Sequence, residues 1–99
     1  MVKHIIIWTL KEMPQEEKAK VKKEIKEGLE ALKGVVPQIR DIKVVIDGLP
    51  TSTGDLMLDS TFESAEDLAG YSKHPSHVAV ANEKVRPFTA HRACLDFEV

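Results

Sequence analysis

Apolar residues at the start of the chain follow a two-residue period. Val2, His4, Ile6, Trp8 and Leu10 fall on one face of an extended segment, and Lys3, Ile5, Ile7 and Thr9 on the other, the alternation of a β-strand. Both faces are apolar at the centre, so both are expected to be covered. The period then lengthens. Pro14 stands where a first helical turn accepts proline, and Gln15, Glu16 and Glu17 supply a largely acidic N-terminus. Val21, Ile25, Leu29 and Leu32 recur every three or four residues among Lys and Glu, which predicts a long helix with one buried stripe. Gly34 is its expected stop. Gly28, within the helix, costs about 1 kcal/mol relative to alanine and reads either as a close approach to the sheet or as a tolerated glycine.

Beyond Pro37, Ile42, Val44 and Ile46 alternate with Lys43, Val45 and Asp47, a half-buried strand. Gly48 to Gly54 is a polar turn. Leu56, Leu58, Ser60 and Phe62 then face one way and Met57, Asp59 and Thr61 the other. Ser64 with Asp67 approximates a capping box, which predicts a helix from about Ala65 to Tyr71. His74-Pro75 interrupts it, and Pro75, Ser76 and His77 restart a helix carrying Val78, Ala81 and Val85 until Pro87 ends it. His91, Ala93, Leu95, Phe97 and Val99 alternate with Arg92, Cys94, Asp96 and Glu98 in a final strand.

The element order predicts a ferredoxin-like βαββαβ α+β sandwich, a four-stranded antiparallel sheet with its helices on one face. The helix stripe is expected against Ile6, Trp8, Val44, Leu58 and Leu95. The outer face is expected to carry Ile5, Ile7, Val45, Met57 and Cys94 among Lys43, Asp47, Asp59, Thr61 and Arg92. That mixture is too apolar for water and too charged for a dry core, and predicts a homodimer packed sheet to sheet.

Composition narrows the function classes. At 99 residues the chain is expected to be a single domain over positions 1–99. A hydrophobic fraction of 42% and a charged fraction of 30% exclude a disordered chain, and no stretch is apolar enough for a membrane span. Fourteen Lys and Arg against sixteen Asp and Glu give a net charge of -2, which argues against a nucleic-acid partner. The one cysteine, Cys94, cannot form an internal disulfide. Ile5 to Trp8 leads into Thr9 and Lys11 rather than a cleavage site, so a cytoplasmic location is expected. No nucleotide-binding loop or flavin signature is present, and no cofactor is expected.

The chain has four histidines. His74-Pro75-Ser76-His77 has a spacing that some paired metal ligands use, but the proline breaks the helix that would aim both rings at one ion, and no metal site is expected. His4 shares a strand face with Ile6 and Trp8, where an imidazole is partly desolvated; a backbone carbonyl that satisfies it is the alternative. Tyr71 and His77 flank the helix break, as proton-transfer groups or as capping and packing residues. His91 and Trp8 read as ordinary packing with a polar tip near water.

Val2-Lys3-His4-Ile5, Thr61-Phe62-Glu63-Ser64, the segment Tyr71-Ser72-Lys73-His74-Pro75-Ser76-His77 and the closing Leu95-Asp96-Phe97-Glu98-Val99 together resemble the stress-responsive dimeric α/β-barrel domain family over essentially the whole chain. The resemblance implies a ferredoxin-like protomer whose sheets pair into a barrel across a two-fold axis. Polyketide-cyclase members of that family use a first-strand histidine and a tyrosine and histidine around the His-Pro-x-His segment. Those positions correspond here to His4, Tyr71 and His77. The resemblance therefore implies a pocket in which His77 accepts a proton, Tyr71 donates to a substrate oxygen and His4 orients the reacting group, with Ile6, Trp8 and His74 along its walls. The helix from Pro14 to Lys33 contains no aromatic residue, which argues against a long-tailed polyketide. Two function classes follow: a cofactor-independent lyase, cyclase or isomerase acting on a small carbonyl compound, with an oxygenase as a variant, or a non-catalytic stress-related dimer that binds a metabolite or serves as an interaction module.

Overall fold

The computed structural model describes residues 1–99. Strand β1 (Val2–Leu10) is followed by helix α1 (Gln15–Glu30), strands β2 (Ile39–Val45) and β3 (Leu56–Phe62), helices α2 (Ala65–Lys73) and α3 (Pro75–Val80), and strand β4 (Thr89–Glu98). All neighbouring strands are antiparallel, in the order β2-β3-β1-β4. This is the ferredoxin-like α+β sandwich, with the helices layered on one face of the sheet. No helix is long and apolar enough to cross a membrane.

The stripe on α1 is buried as its spacing predicts: Val21, Ile25 and Leu29 pack inward, and Leu32 continues the line from the turn after the helix. Gly34 adopts a φ of 88° in that turn, a conformation that β-carbons resist. The α1 stripe meets Ile6, Trp8, Val44 and Leu58 in one hydrophobic core. Gly28 marks a close approach, though not to the sheet. A Cβ there would lie 2.9 Å from Lys84 Cδ and 3.3 Å from Val80 Cγ1, so α1 presses against the segment that follows the helix break.

Strand β2 begins at Ile39, earlier than the alternation from Ile42 suggests, because a register shift between Ile39 and Asp41 absorbs one residue. Its outer edge is satisfied by α1. Lys26 Nζ donates to the Val44 carbonyl at 2.7 Å, and Glu30 Oε2 accepts from the Val44 N–H at 2.9 Å. Across the core, Ser60 is fully buried and its hydroxyl donates to the His4 carbonyl at 2.9 Å.

The faces of β4 are reversed from the expectation. Residues directly opposite in an antiparallel pair share a face. Ile6 pairs with Cys94, Trp8 with Arg92 and His4 with Asp96, so Arg92, Cys94 and Asp96 lie on the helix side. Leu95 and Ala93 lie opposite Ile5 and Ile7 on the outer face, where Leu95 is 66% exposed. Alternation alone does not say which face of an edge strand is inside, and here the apolar set is the outer one. Cys94 and Arg92 therefore leave the outer face, and Leu95 and Ala93 join it, which makes it more apolar than expected.

Candidate functional site

The cleft begins with the helix break. Ser64 caps α2 by accepting from the Asp67 N–H at 3.1 Å. Pro75 forces His74 out of helical dihedrals, to φ -62° and ψ 132°. The chain restarts as α3 and runs into one π-helical turn, Ala81–Val85, closed by the Arg86 N–H donating to the Ala81 carbonyl at 2.9 Å. This displaced run leaves a cleft of about 380 Å³ between helices and sheet. His4, Ile6, Trp8 and Leu58 form its floor; Tyr71 and His77 line its helical wall. Arg86 from the end of the π turn and Arg92 from β4 lie at its margin.

Of the residues singled out in the sequence, His4, Ile6, Trp8, Tyr71 and His77 thus meet in one cleft. His74 stands apart from the lining. Its Nδ1 accepts from the Ser76 N–H at 3.1 Å, so the imidazole caps α3 instead. His91 and Val78 are exposed.

Tyr71 is almost wholly buried, and its hydroxyl has no hydrogen-bond partner. Its ring packs 4.3 Å from that of His77 and 5.0 Å from that of Phe62, centroid to centroid, with the His4 ring 6.3 Å away. Burial pushes the phenol above its ordinary range, so Tyr71 stays a neutral O–H donor at physiological pH. Burial also pulls His77 below its ordinary value, and His4, Arg86 and Arg92 act in the same direction, while a hydrogen bond to Ser72 opposes them. That bond fixes the tautomer. The Ser72 carbonyl can only accept, so His77 Nδ1 carries the hydrogen that meets it at 3.2 Å, and Nε2 keeps a lone pair.

His4 is held on its other side. Its Nδ1–H donates to the Asp96 carboxylate directly across from it on β4, an arrangement that orients the imidazole and fixes which nitrogen faces the cleft. Cys94 Sγ lies 3.7 Å from the same His4 nitrogen and 3.5 Å from Asp96 Oδ1. Partial desolvation and the Asp96 carboxylate push the thiol up, so it is a weak nucleophile. One donor atom from each of these three residues falls within 4.8 Å of the others, a set able to hold a metal ion. Asp96, Cys94, Arg86 and Arg92 were not foreseen as site residues. The available signal was positional: an antiparallel pairing of the first and last strands sets His4 opposite Asp96.

A second hollow, of about 320 Å³, lies on the outer face between Ile7, Met57 and the turn at Gly54. Its one acid, Asp55, accepts from the Leu10 N–H at 2.7 Å and so ties the turn to β1, and no histidine, cysteine, lysine or tyrosine lines this hollow.

The geometry defines a ferredoxin-like α+β protein with a cleft lined by histidine, tyrosine and arginine beneath a broken helix. More narrowly, the chain belongs to the stress responsive A/B barrel domain family (Dabb), whose model matches residues 2–99. It is 36% identical to a dimeric protein of unknown function with a ferredoxin-like fold from Bacteroides fragilis, with a TM-score of 0.92 over 99% of this chain and 95% of that one. A protein from Arabidopsis thaliana is 24% identical, with a TM-score of 0.81 over 100% of this chain and 95% of that one. A hydroxynitrile lyase from Passiflora edulis shares the fold at 20% identity and a TM-score of 0.72, over 97% of this chain and 90% of that one. No curated protein matches the chain.

Proposed function

We propose that this chain is a cofactor-independent enzyme that moves a proton beside the carbonyl of a small molecule, the step shared by lyases, cyclases and isomerases, and that it works as a homodimer paired through the outer sheet face. The observation that carries the reading is the Tyr71 hydroxyl, buried without a partner beside a desolvated His77. An orphan buried hydroxyl costs about 1–3 kcal/mol, a cost that a substrate oxygen accepting from it would relieve. His77 Nε2 takes the proton from the carbon next to the carbonyl. The C–H electron pair moves into the new C=C bond, and the carbonyl oxygen takes up charge against the Tyr71 hydroxyl. His4, held by Asp96, orients the reacting group or returns the proton. Ile6 and Trp8 supply an apolar floor.

The dimer is supported by Ile7 and Leu95, 44% and 66% exposed on the same face, and by the dimeric relative from Bacteroides fragilis.

The test is deuterium exchange at the carbon beside the carbonyl, followed by NMR over a panel of small ketones and oxo acids. His77→Ala and Tyr71→Phe should each slow exchange about 10²- to 10⁴-fold, with melting temperatures that change far less. Tyr71→Phe is the sharper variant, since it removes one hydroxyl and keeps the ring. The acid limb of kcat/KM should fall below about 6.5, because the His77 pKa is lowered. Stability should follow the same group. Its neutral form is favoured in the fold, so its contribution is complete above about 6.5 and declines as pH falls toward the folded pKa. Ligand binding without exchange, unchanged in both variants, would leave a metabolite-binding dimer as the function.

A further inference from the structure

Charge around the cleft points to the substrate class. The chain has a net charge of -2, yet no Asp or Glu lines the cleft, while Arg86, Arg92, His4 and His77 do. The third arginine of the chain, Arg40, pairs with Glu63, and Lys3, Lys26 and Lys33 pair with Asp59, Glu30 and Asp41, while the other lysines make no ion pair. Arg86 and Arg92 have no carboxylate partner; Arg86 makes one side-chain bond, to Asn82 Oδ1 at 2.5 Å, which leaves most of its donors free. Asp96, the acid nearest the floor, is engaged by His4.

We propose that the cleft binds a compact oxo carboxylic acid, its carboxylate held by Arg86 and Arg92 and its carbonyl presented to Tyr71 and His77. The inference rests on the acid–base reading of the same cleft and adds the anionic handle. A guanidinium matches a carboxylate with two parallel N–H donors, and two guanidiniums without a carboxylate partner stand at the margin of one cleft, Arg86 bonded to Asn82 and Arg92 to the Cys94 thiol. The cavity of about 380 Å³ with Ile6, Trp8 and Leu58 in its floor suits an aryl or short alkyl tail. A bound carboxylate would also offset the positive field that Arg86 and Arg92 impose on His77, which strengthens the imidazole as a base once the correct ligand is present.

Phenylpyruvate and its methyl ester are the probes, since they differ by one charge and share the carbonyl. Binding is read by NMR titration at low salt, and keto–enol conversion by ultraviolet absorbance. The acid should bind about tenfold or more tightly than the ester, and added salt should narrow the gap. Arg92→Gln and Arg86→Gln should each weaken acid binding about tenfold and leave the ester unchanged. Arg92→Lys should recover part of the loss, which a purely structural role would not produce. Circular dichroism confirms that each variant is folded. Equal binding of acid and ester, equal losses for both in the Arg variants, or no binding of either at about 10 mM would overturn the carboxylate handle. The two readings separate on Tyr71→Phe. Acid preference without keto–enol conversion in the parent protein removes the acid–base reading and keeps the handle. Conversion abolished by Tyr71→Phe, with no acid preference, does the reverse.

Discussion

The two edges of the sheet are built on opposite plans. At the β2 edge the helix layer seals the strand: Val44 is fully buried, and its N–H and carbonyl are both engaged by Glu30 and Lys26 of α1. At the β4 edge the helix side is left open. The side chains of Arg92, Cys94 and Asp96 lie on that side, and the apolar residues of the strand face away from the helices. A closed edge secures the fold and leaves no room for a ligand. An open edge gives up burial on one face and gains a polar margin where charges meet a desolvated imidazole.

The first way to break this contrast is at the sealed side. Ile25 of α1 is wholly buried in the core and lines no part of the cleft, so Ile25→Ala should cost about 2–5 kcal/mol in urea unfolding. Lys22, on the helix flank, should cost about 0.5 kcal/mol as alanine. Equal small losses would mean that α1 does not seal that edge.

The open side should answer in assembly instead. Leu95→Asp places a carboxylate on the exposed outer face opposite Ile5. It should leave the monomer folded and weaken dimerisation tenfold or more, about 1.4 kcal/mol or above. Sedimentation measures it. A monomeric parent at micromolar concentration, or a variant that dimerises as well as the parent, would show that face to be solvated.

Glu30 sharpens the comparison at the level of one side chain. Partial burial tends to raise its pKa, but the Lys26 ammonium and the Val44 N–H outweigh this and hold the carboxyl below its ordinary value. Its contribution to stability should therefore be complete above about pH 4.5 and fade as pH falls through the folded pKa. Glu30→Gln should lose about 1 kcal/mol at neutral pH and flatten that acid slope. An unchanged slope would mean that the edge is held by packing alone.

The same contrast explains what could be read from the sequence. Helix α1 was legible because Val21, Ile25 and Leu29 sit in a field of Lys and Glu that leaves one face available to the core. The break at His74-Pro75 was legible because proline removes a donor and restricts its predecessor locally. The faces of β4 were not, since Leu95 and Asp96 alternate equally well in either orientation and only pairing with His4 decides between them. The site followed suit. His4, Tyr71 and His77 were visible as residue types suited to proton transfer, whereas Asp96 and Cys94 come beside His4, and Arg92 to the margin of the cleft, only through that long-range register. The π turn at Ala81–Val85 likewise has no local signature. Its extra residue per turn is a matter of how the chain after Pro75 meets α1.

That meeting point supplies the smallest expected effect. Gly28 faces Lys84 and Val80, and a methyl group there would sit 2.9 Å from Lys84 Cδ and 3.3 Å from Val80 Cγ1. Alanine gains about 1 kcal/mol of helix propensity over glycine. Against this, the Lys84 stem must move, which a flexible side chain does at little cost, and Val80 must yield by a few tenths of an ångström. The two terms nearly cancel, so Gly28→Ala should change stability by no more than about 0.5 kcal/mol in either direction. A loss above about 2 kcal/mol would show that α1 and the π turn are locked together. In that case the wall of the cleft is as rigid as the sealed edge, and the contrast between the two sides would rest on polarity and not on freedom to move.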